Sequence, residues 1–387
     1  MKQAKRRRSR WALLLTTLAL VIASCNRLGG NAEPHVIAHL APRSGSEQTS
    51  GLLAAEAAAL AVTEANTDAA NHIGKRPVAV VHADTASEAA SVSSQATRML
   101  AVNQAQALIA GRDSEEFDRL NAAASTLPVV IIAPCGGGST APEKHIFPVG
   151  LAAPERGRCL AKYLAEERKI RSVALVVDST ATIHSQAAAA FESEFQHADR
   201  TIRTGYSVRS SQDLEAIAKR LTDAKAEAIV YCGNVGDLVT LASKIRSGMN
   251  DMSATLTAFA GENDGVIRRA DPAVSAGIIY ATPFVADDSA AAVQSFVAKF
   301  RSRTGKAPDS EAALTFDAVS LLLARAKKAD TFKSDRLASD IDQMGEIVCL
   351  TGPFWFAKGR QPRRTVYIVE VRDGKSVLKK SYAPEKK

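Results

Sequence analysis

Three consecutive glycines, Gly136-Gly137-Gly138, lie between Cys135 and Ser139, and two chemistries are open to them. Their backbone N–H groups could cradle an anion, and the Cys135 thiol could attack a substrate if a base stood beside it. A flexible turn explains the glycines equally well, and no histidine is placed in the sequence to argue for the base. Arg43 and Arg112 each occupy a small, polar loop. Two guanidinium groups there could grip an anion bidentately, or could simply point into solvent. His35 and His39 are four residues apart, a spacing that suits a metal on a helix. On a strand it places the rings on one face about 13 Å apart, too far to share an ion, so no metal is expected. No serine stands in a G-x-S-x-G elbow, and neither G-x-G-x-x-G nor the G-x-x-x-x-G-K-[ST] phosphate loop occurs. The residues favour binding over catalysis, and no cofactor is expected.

Composition narrows the class. The chain has 387 residues, 46% hydrophobic and 23% charged, a globular balance with room for two domains. Its +8 formal charge suggests nucleic acid until it is divided along the chain. Six cations lie within Lys2–Arg10, and residues 1–25 contain no acid, leaving 43 cations against 41 acids in the rest. A body of +2 has no electrostatic footprint for DNA or RNA.

The basic start is followed by a 13-residue apolar stretch, Trp11–Ala23, shorter than the roughly 18 residues a spanning helix needs. It reads as a signal peptide. Ile22-Ala23-Ser24-Cys25 resembles the bacterial lipobox, which implies a signal peptide at 1–25 and Cys25 acylated as the first mature residue; an ordinary secretory cleavage would leave Cys25 a spare thiol. Residues 26–33 would then form a tether of at most about 26–29 Å, and the body would work close to a membrane. Cys135, Cys159, Cys232 and Cys349 remain, with free buried thiols or one bridge both open in an oxidising compartment.

The body alternates short Val/Ile-rich runs with Ala-rich amphipathic stretches. Strands are expected at His35–Leu40, Val78–His82, Ala107–Ala110 and Val129–Ala133, with helices near Leu52–Asn71, Ser87–Val102 and Ser114–Ser125. The runs are apolar throughout, as for parallel strands buried on both faces. A second βαβ series begins after Phe147-Pro148-Val149-Gly150 and runs through strands at Val173–Val177, Thr201–Tyr206, Ala228–Tyr231, Thr255–Ala260 and Gly277–Ala281. The expected fold is α/β, two doubly wound parallel-sheet lobes. Ligands in such sheets sit beyond the C-terminal strand ends, so the loops to watch hold Arg43-Ser44, Arg112 to Ser114, Cys135 to Ser139, Asp178 to Thr180, Gly233-Asn234 and Gly261 to Asn263.

From His35 to about Val377 the chain resembles the leucine/isoleucine/valine-binding protein family, solute-binding lipoproteins of ABC importers with a type I periplasmic binding fold. The resemblance is carried by Ala41-Pro42-Arg43-Ser44-Gly45, Ala58–Asn66 followed by Gly74-Lys75-Arg76-Pro77-Val78, Leu127–Pro134 and Tyr280-Ala281-Thr282-Pro283-Phe284. Phe296–Gly305, Ala313–Val319 and Leu350–Phe356 complete it. It implies two lobes joined by three crossovers, 34–150 plus 284–346 and 151–283 plus 347–387, closing over a small solute such as an amino acid or related carboxylate. It also implies an extracytoplasmic location and an ABC permease as partner. Ser114 and Cys135-Gly136-Gly137 fall on the family's carboxylate-holding loops, Glu262 on its ammonium partner, and Ile183-His184 and Asn234 on the second-lobe wall. Glu262 could instead interact with a helix macrodipole. The family's Ser-Ala-Thr is Cys135-Gly136-Gly137 here, which loses a hydroxyl donor and keeps the backbone N–H groups. A sensor or interaction lipoprotein with a degenerate pocket is the alternative.

Overall fold

A computed structural model describes residues 33–196, 199–210, 212–248, 255–258 and 264–385. Cys25, residues 26–32 of the tether, Glu262 and the end of the strand expected to reach Ala260 lie outside the described residues.

The first sheet contains β1 (His35–Ala41), β2 (Val78–Asp84), β3 (Ala107–Ile109), β4 (Val130–Ala133) and β5 (Ile146–Pro148), in the order β2-β1-β3-β4-β5 and parallel throughout. Helices α1 (Gln48–Asn66), α2 (Val92–Asn103) and α3 (Ser114–Ala122) return the chain between strands. The continuous apolar runs are explained by burial on both faces. Ile37, Ile109 and Ile132 pack toward one side, Ala38, Leu108 and Ile131 toward the other. Each isoleucine or leucine side chain so taken from water contributes about 1.5–3 kcal/mol.

The second sheet repeats the plan. After α4 (Ala153–Lys162) come β6 (Ser172–Asp178), α5 (Thr182–Phe195), β7 (Thr201–Val208), α6 (Asp213–Asp223), β8 (Ala228–Cys232), α7 (Val235–Gly248), β9 (Thr255–Ala258), α8 (Asp264–Arg269) and β10 (Ile279–Thr282). Its parallel part has the order β7-β6-β8-β9-β10, the same winding as the first sheet.

The chain then returns to the first lobe as α9 (Ala291–Thr304), α10 (Ser310–Ala329) and α11 (Ser334–Asp342). Leu322, Leu337 and Ile341 join the core beneath β1, β3 and β4. A small antiparallel sheet follows, of β11 (Ile347–Cys349), β12 (Gly352–Ala357) and β13 (Gln361–Arg364). The sequence placed 347–364 with the second lobe. Phe354, fully buried, instead packs into the first-lobe core with Ile37 and Phe147, because its apolar face has that core to cover. Only β14 (Val366–Arg372) and β15 (Lys375–Tyr382) join the second sheet, antiparallel beside β10.

The chain therefore passes between the sheets three times: between β5 and α4, between β10 and α9, and between β13 and β14. The third passage is anchored by buried Asp317 on α10. It accepts bonds from the Leu350 and Thr351 N–H groups and lies 3.6 Å from the Arg364 guanidinium. Among the described residues no disulfide joins the four cysteines, and no helix is long and apolar enough to cross a membrane.

Candidate functional site

In a sheet of order 2-1-3-4-5 the connections on either side of strand 1 leave in opposite directions, opening a crevice at the C-terminal strand ends. Both sheets have this order, and the two crevices face each other across a cleft of about 540 Å³. The loops after β3 and β4 supply Arg112, Asp113, Ser114, Cys135, Gly136 and Gly137 from one side. The loops after β6 and β8, with α4 and the start of α5, supply Arg156, Asp178, His184 and Asn234 from the other.

Ser114 opens α3, where backbone N–H groups are left without helical partners. Asp113 caps the helix by accepting the Glu116 N–H at 2.9 Å, and the Glu116 carboxylate accepts the Arg112 N–H at 3.2 Å. This reciprocal cap fixes Ser114 at the cleft wall. The glycine loop is equally constrained. A Cβ on Gly136 would stand 2.1 Å from the Leu151 carbonyl oxygen, on the first passage between lobes. Gly137 adopts φ +102°, a region that favours glycine. Asp118 accepts the Ser139 N–H at 2.9 Å, so the end of this loop is tied to α3. Cys135 is buried, and the described residues contain no group of three or more His, Cys, Asp or Glu side chains able to hold a metal.

Arg112 is only 4% exposed, and four carboxylates surround it. Glu47 contacts its Nη2 directly, Asp113 approaches the same nitrogen at 3.4 Å, Glu311 approaches Nη1 at 3.5 Å, and Glu116 approaches Nε at 3.7 Å. Burial works to lower the Arg112 pKa, but Glu311, Asp113, Glu47 and Glu116 outweigh it and raise it. Burial pushes the Glu311 carboxyl up to about 8 against the pull of Arg112. Burial and the neighbouring Asp113 charge push Glu116 up as well, and burial likewise raises Glu47.

On the opposite wall His184 Nδ1 lies 3.2 Å from the Asp178 carboxylate. Burial nevertheless lowers the His184 pKa, with Asp178 opposing it. Asn234 accepts the Gly236 N–H at 2.7 Å, which orients its carboxamide at the start of α7.

Arg112, Ser114, Cys135, Gly136, Gly137 and Asn234, six of the residues singled out from sequence, thus line one cleft. Arg43 and Ser44 do not line it. Asp84 at the end of β2 draws their loop aside, accepting the Arg43 N–H at 2.7 Å and the Ser44 hydroxyl at 2.7 Å. The Arg43 side chain is exposed, and the cleft wall is made by the next residues, Ser46 and Glu47. Glu47, Glu116, Arg156 and Glu311 went unnoticed in the sequence. Only Glu116 had a local signal, its place three residues after the capping Asp113.

His35 and His39 are separated as β1 requires. His35 Nδ1 contacts the Gln106 side chain at 2.7 Å, and His39 Nδ1 contacts Nδ1 of His82, its register partner on β2, at 3.2 Å.

The chain is structurally similar to the leucine-binding protein LivK of Thermotoga maritima, with 19% identity and a TM-score of 0.78 over 90% of this chain and 99% of that one. It is likewise similar to the branched-chain amino acid transporter substrate-binding protein LivJ of Streptococcus pneumoniae in complex with isoleucine. There the identity is 21% and the TM-score 0.78, over 90% and 99% of the two chains. A solute-binding protein of an ABC transporter from R. palustris in complex with benzoate aligns at 19% identity and a TM-score of 0.75, over 91% and 97%. No curated protein matches the chain. The profile of the periplasmic binding proteins matches residues 34–376, nearly all of the two-lobed body and every described residue of the cleft. With its two type I lobes and a polar cleft between them, this chain belongs to the periplasmic binding protein family, whose members bind solutes rather than transform them.

Proposed function

We propose that the protein is the solute receptor of an ABC importer, tethered to a membrane through an acylated Cys25, whose lobes close over a small polar solute and present it to the permease. The observation that carries this reading is the meeting of two strand-order reversals at one cleft between lobes that three chain passages join; those passages would serve as a hinge. Such a hinge lets a ligand that touches both lobes favour the closed form by its differential affinity. The Ser114 helix end together with the Gly136 and Gly137 backbone is suited to a solute carboxylate, and Asn234 offers a polar contact from the facing lobe. The relatives of similar structure include a leucine-binding protein and a benzoate complex, which frames the solute as an amino acid or a small organic acid.

The test is a thermal-shift panel of amino acids, amides and organic acids on the mature protein, followed by small-angle scattering with any solute that stabilises it. A receptor gains stability with a solute and contracts. A protein that responds to no solute supports instead the alternative of a sensor with a degenerate pocket, which the loss of a hydroxyl donor at Cys135-Gly136-Gly137 favours.

A further inference from the structure

We infer that the solute carries net positive charge, an amino acid or amine bearing an additional ammonium or guanidinium group, and that this group seats on the first-lobe wall formed by Glu47, Asp113 and Glu116. The inference rests on the receptor reading above and names its solute class.

Four carboxylates share the one guanidinium of Arg112. Its nitrogens are already directed at those carboxylates, so it is not offered to an incoming anion. Behind them Glu311 is 1% exposed, and its Oε1 has no hydrogen-bond partner. Glu311 stands behind the cleft wall rather than on it, and its unpartnered oxygen lacks a donor once the carboxyl is ionised. Glu115 on the same wall is paired with Arg119 at 2.9 Å, so the excess of acid comes from the Arg112 cluster.

The opposite wall does not restore the balance. It presents Arg156 and Asp178, together with His184, which burial favours in its neutral form. A benzoate-like anion would enter a field of its own sign, and a cation would be drawn in, because a narrow cleft with low-dielectric walls focuses such fields.

Proton linkage follows from the same cluster. In the empty cleft Glu311, with a pKa of about 8, and the upshifted Glu116 hold protons into the neutral range. The charges facing them are Arg112, Glu47 and Asp113, with Asp309 beside Glu311. A bound cation favours the ionised carboxylates and expels those protons, so its affinity rises as pH increases from about 6 to about 9.

The experiment is isothermal titration calorimetry on the intact mature protein with L-lysine, L-arginine and putrescine against L-leucine, L-glutamate and benzoate. Each run is repeated in two buffers of different ionisation enthalpy. The expected result is binding of at least one cation about tenfold or more tighter than leucine, with protons released to the buffer. Glu47→Gln with Glu116→Gln is expected to lower cation affinity about tenfold or more and to reduce the released protons. The proton count on the unmutated protein tests the inference even if that variant fails to fold. Binding of leucine, glutamate or benzoate in preference to every cation, or cation binding without proton release, overturns the inference and leaves the receptor reading standing. An absence of heat and of thermal shift across the whole panel overturns both.

Discussion

His39 lies on β1 with 2% exposure, its ring against His82. Burial, with the His82 and Arg43 charges, lowers its pKa from 6.5 to about 3. The unfolded chain therefore takes up a proton near pH 6.5 that the folded chain refuses until about pH 3. The His39 contribution to stability is complete above the unfolded pKa and declines as pH falls through that window, at up to about 1.4 kcal/mol per pH unit. Urea denaturation at a series of acidic pH values should show this slope, and His39→Gln should flatten it. The Arg112 cluster behaves in the opposite sense. Glu311 has its pKa raised, so its favourable contribution is full below the ordinary carboxylate range and is lost as pH rises toward about 8. Removing the guanidinium by Arg112→Met leaves the ionised members of the acid cluster without their partner and should cost about 3–5 kcal/mol at neutral pH. The same urea measurements should find that cost smaller in mildly acidic buffer, where the carboxylates are protonated. An equal cost at every pH would mean that Arg112 matters only for packing.

Elements are held at the cleft by close backbone approach. Gly157 in α4 faces α5, and a Cβ there would stand 2.2 Å from the Ala187 carbonyl oxygen. These helices form one wall of the second lobe and carry Arg156 and His184 into the cleft. Gly157→Ala must force them apart, and about 1–3 kcal/mol of destabilisation is expected from overpacking. Chemical denaturation reads that loss, and calorimetry should show weaker solute binding because both cleft residues move. The Gly136 contact with Leu151 couples the glycine loop to the first passage between lobes in the same way. On the third passage, Asp317→Ala removes the acceptor of two backbone N–H groups and the partner of the buried Arg364. A loss of about 3–5 kcal/mol is expected from the stranded charge. Asp317→Asn should recover part of it by keeping an acceptor for the backbone.

For the whole molecule, solute affinity and stability are one equilibrium. A solute present at about 100 times its Kd should add about 2.7 kcal/mol to the stability of the folded chain. Scattering should show a smaller radius of gyration with solute than without. A solute that raises Tm and leaves the radius unchanged would place binding in one lobe only and argue against closure. On the proposed receptor reading, closure would be a rotation of two preformed units, since each lobe keeps its own core on both faces of its sheet.

The sequence alone determined the two winding units and most of their strands. A run such as Val173-Ala174-Leu175-Val176-Val177 has no polar face to offer water, and burial on both sides satisfies it. It likewise marked Ser114, Cys135, Gly136, Gly137 and Asn234, because small polar loops after such strands converge wherever a parallel sheet reverses its order. It did not reveal β15, whose Lys375, Lys379 and Lys380 suit an exposed edge strand and hide the alternation. Nor did it reveal where 347–364 packs, since an apolar hairpin covers whichever core lies in reach. The Arg112 cluster was beyond it as well. Glu47, Glu116 and Glu311 are separated by up to 264 residues, and charge balance in a cleft depends on distance in space. Only the tertiary structure brought them around one guanidinium and turned Arg43 away.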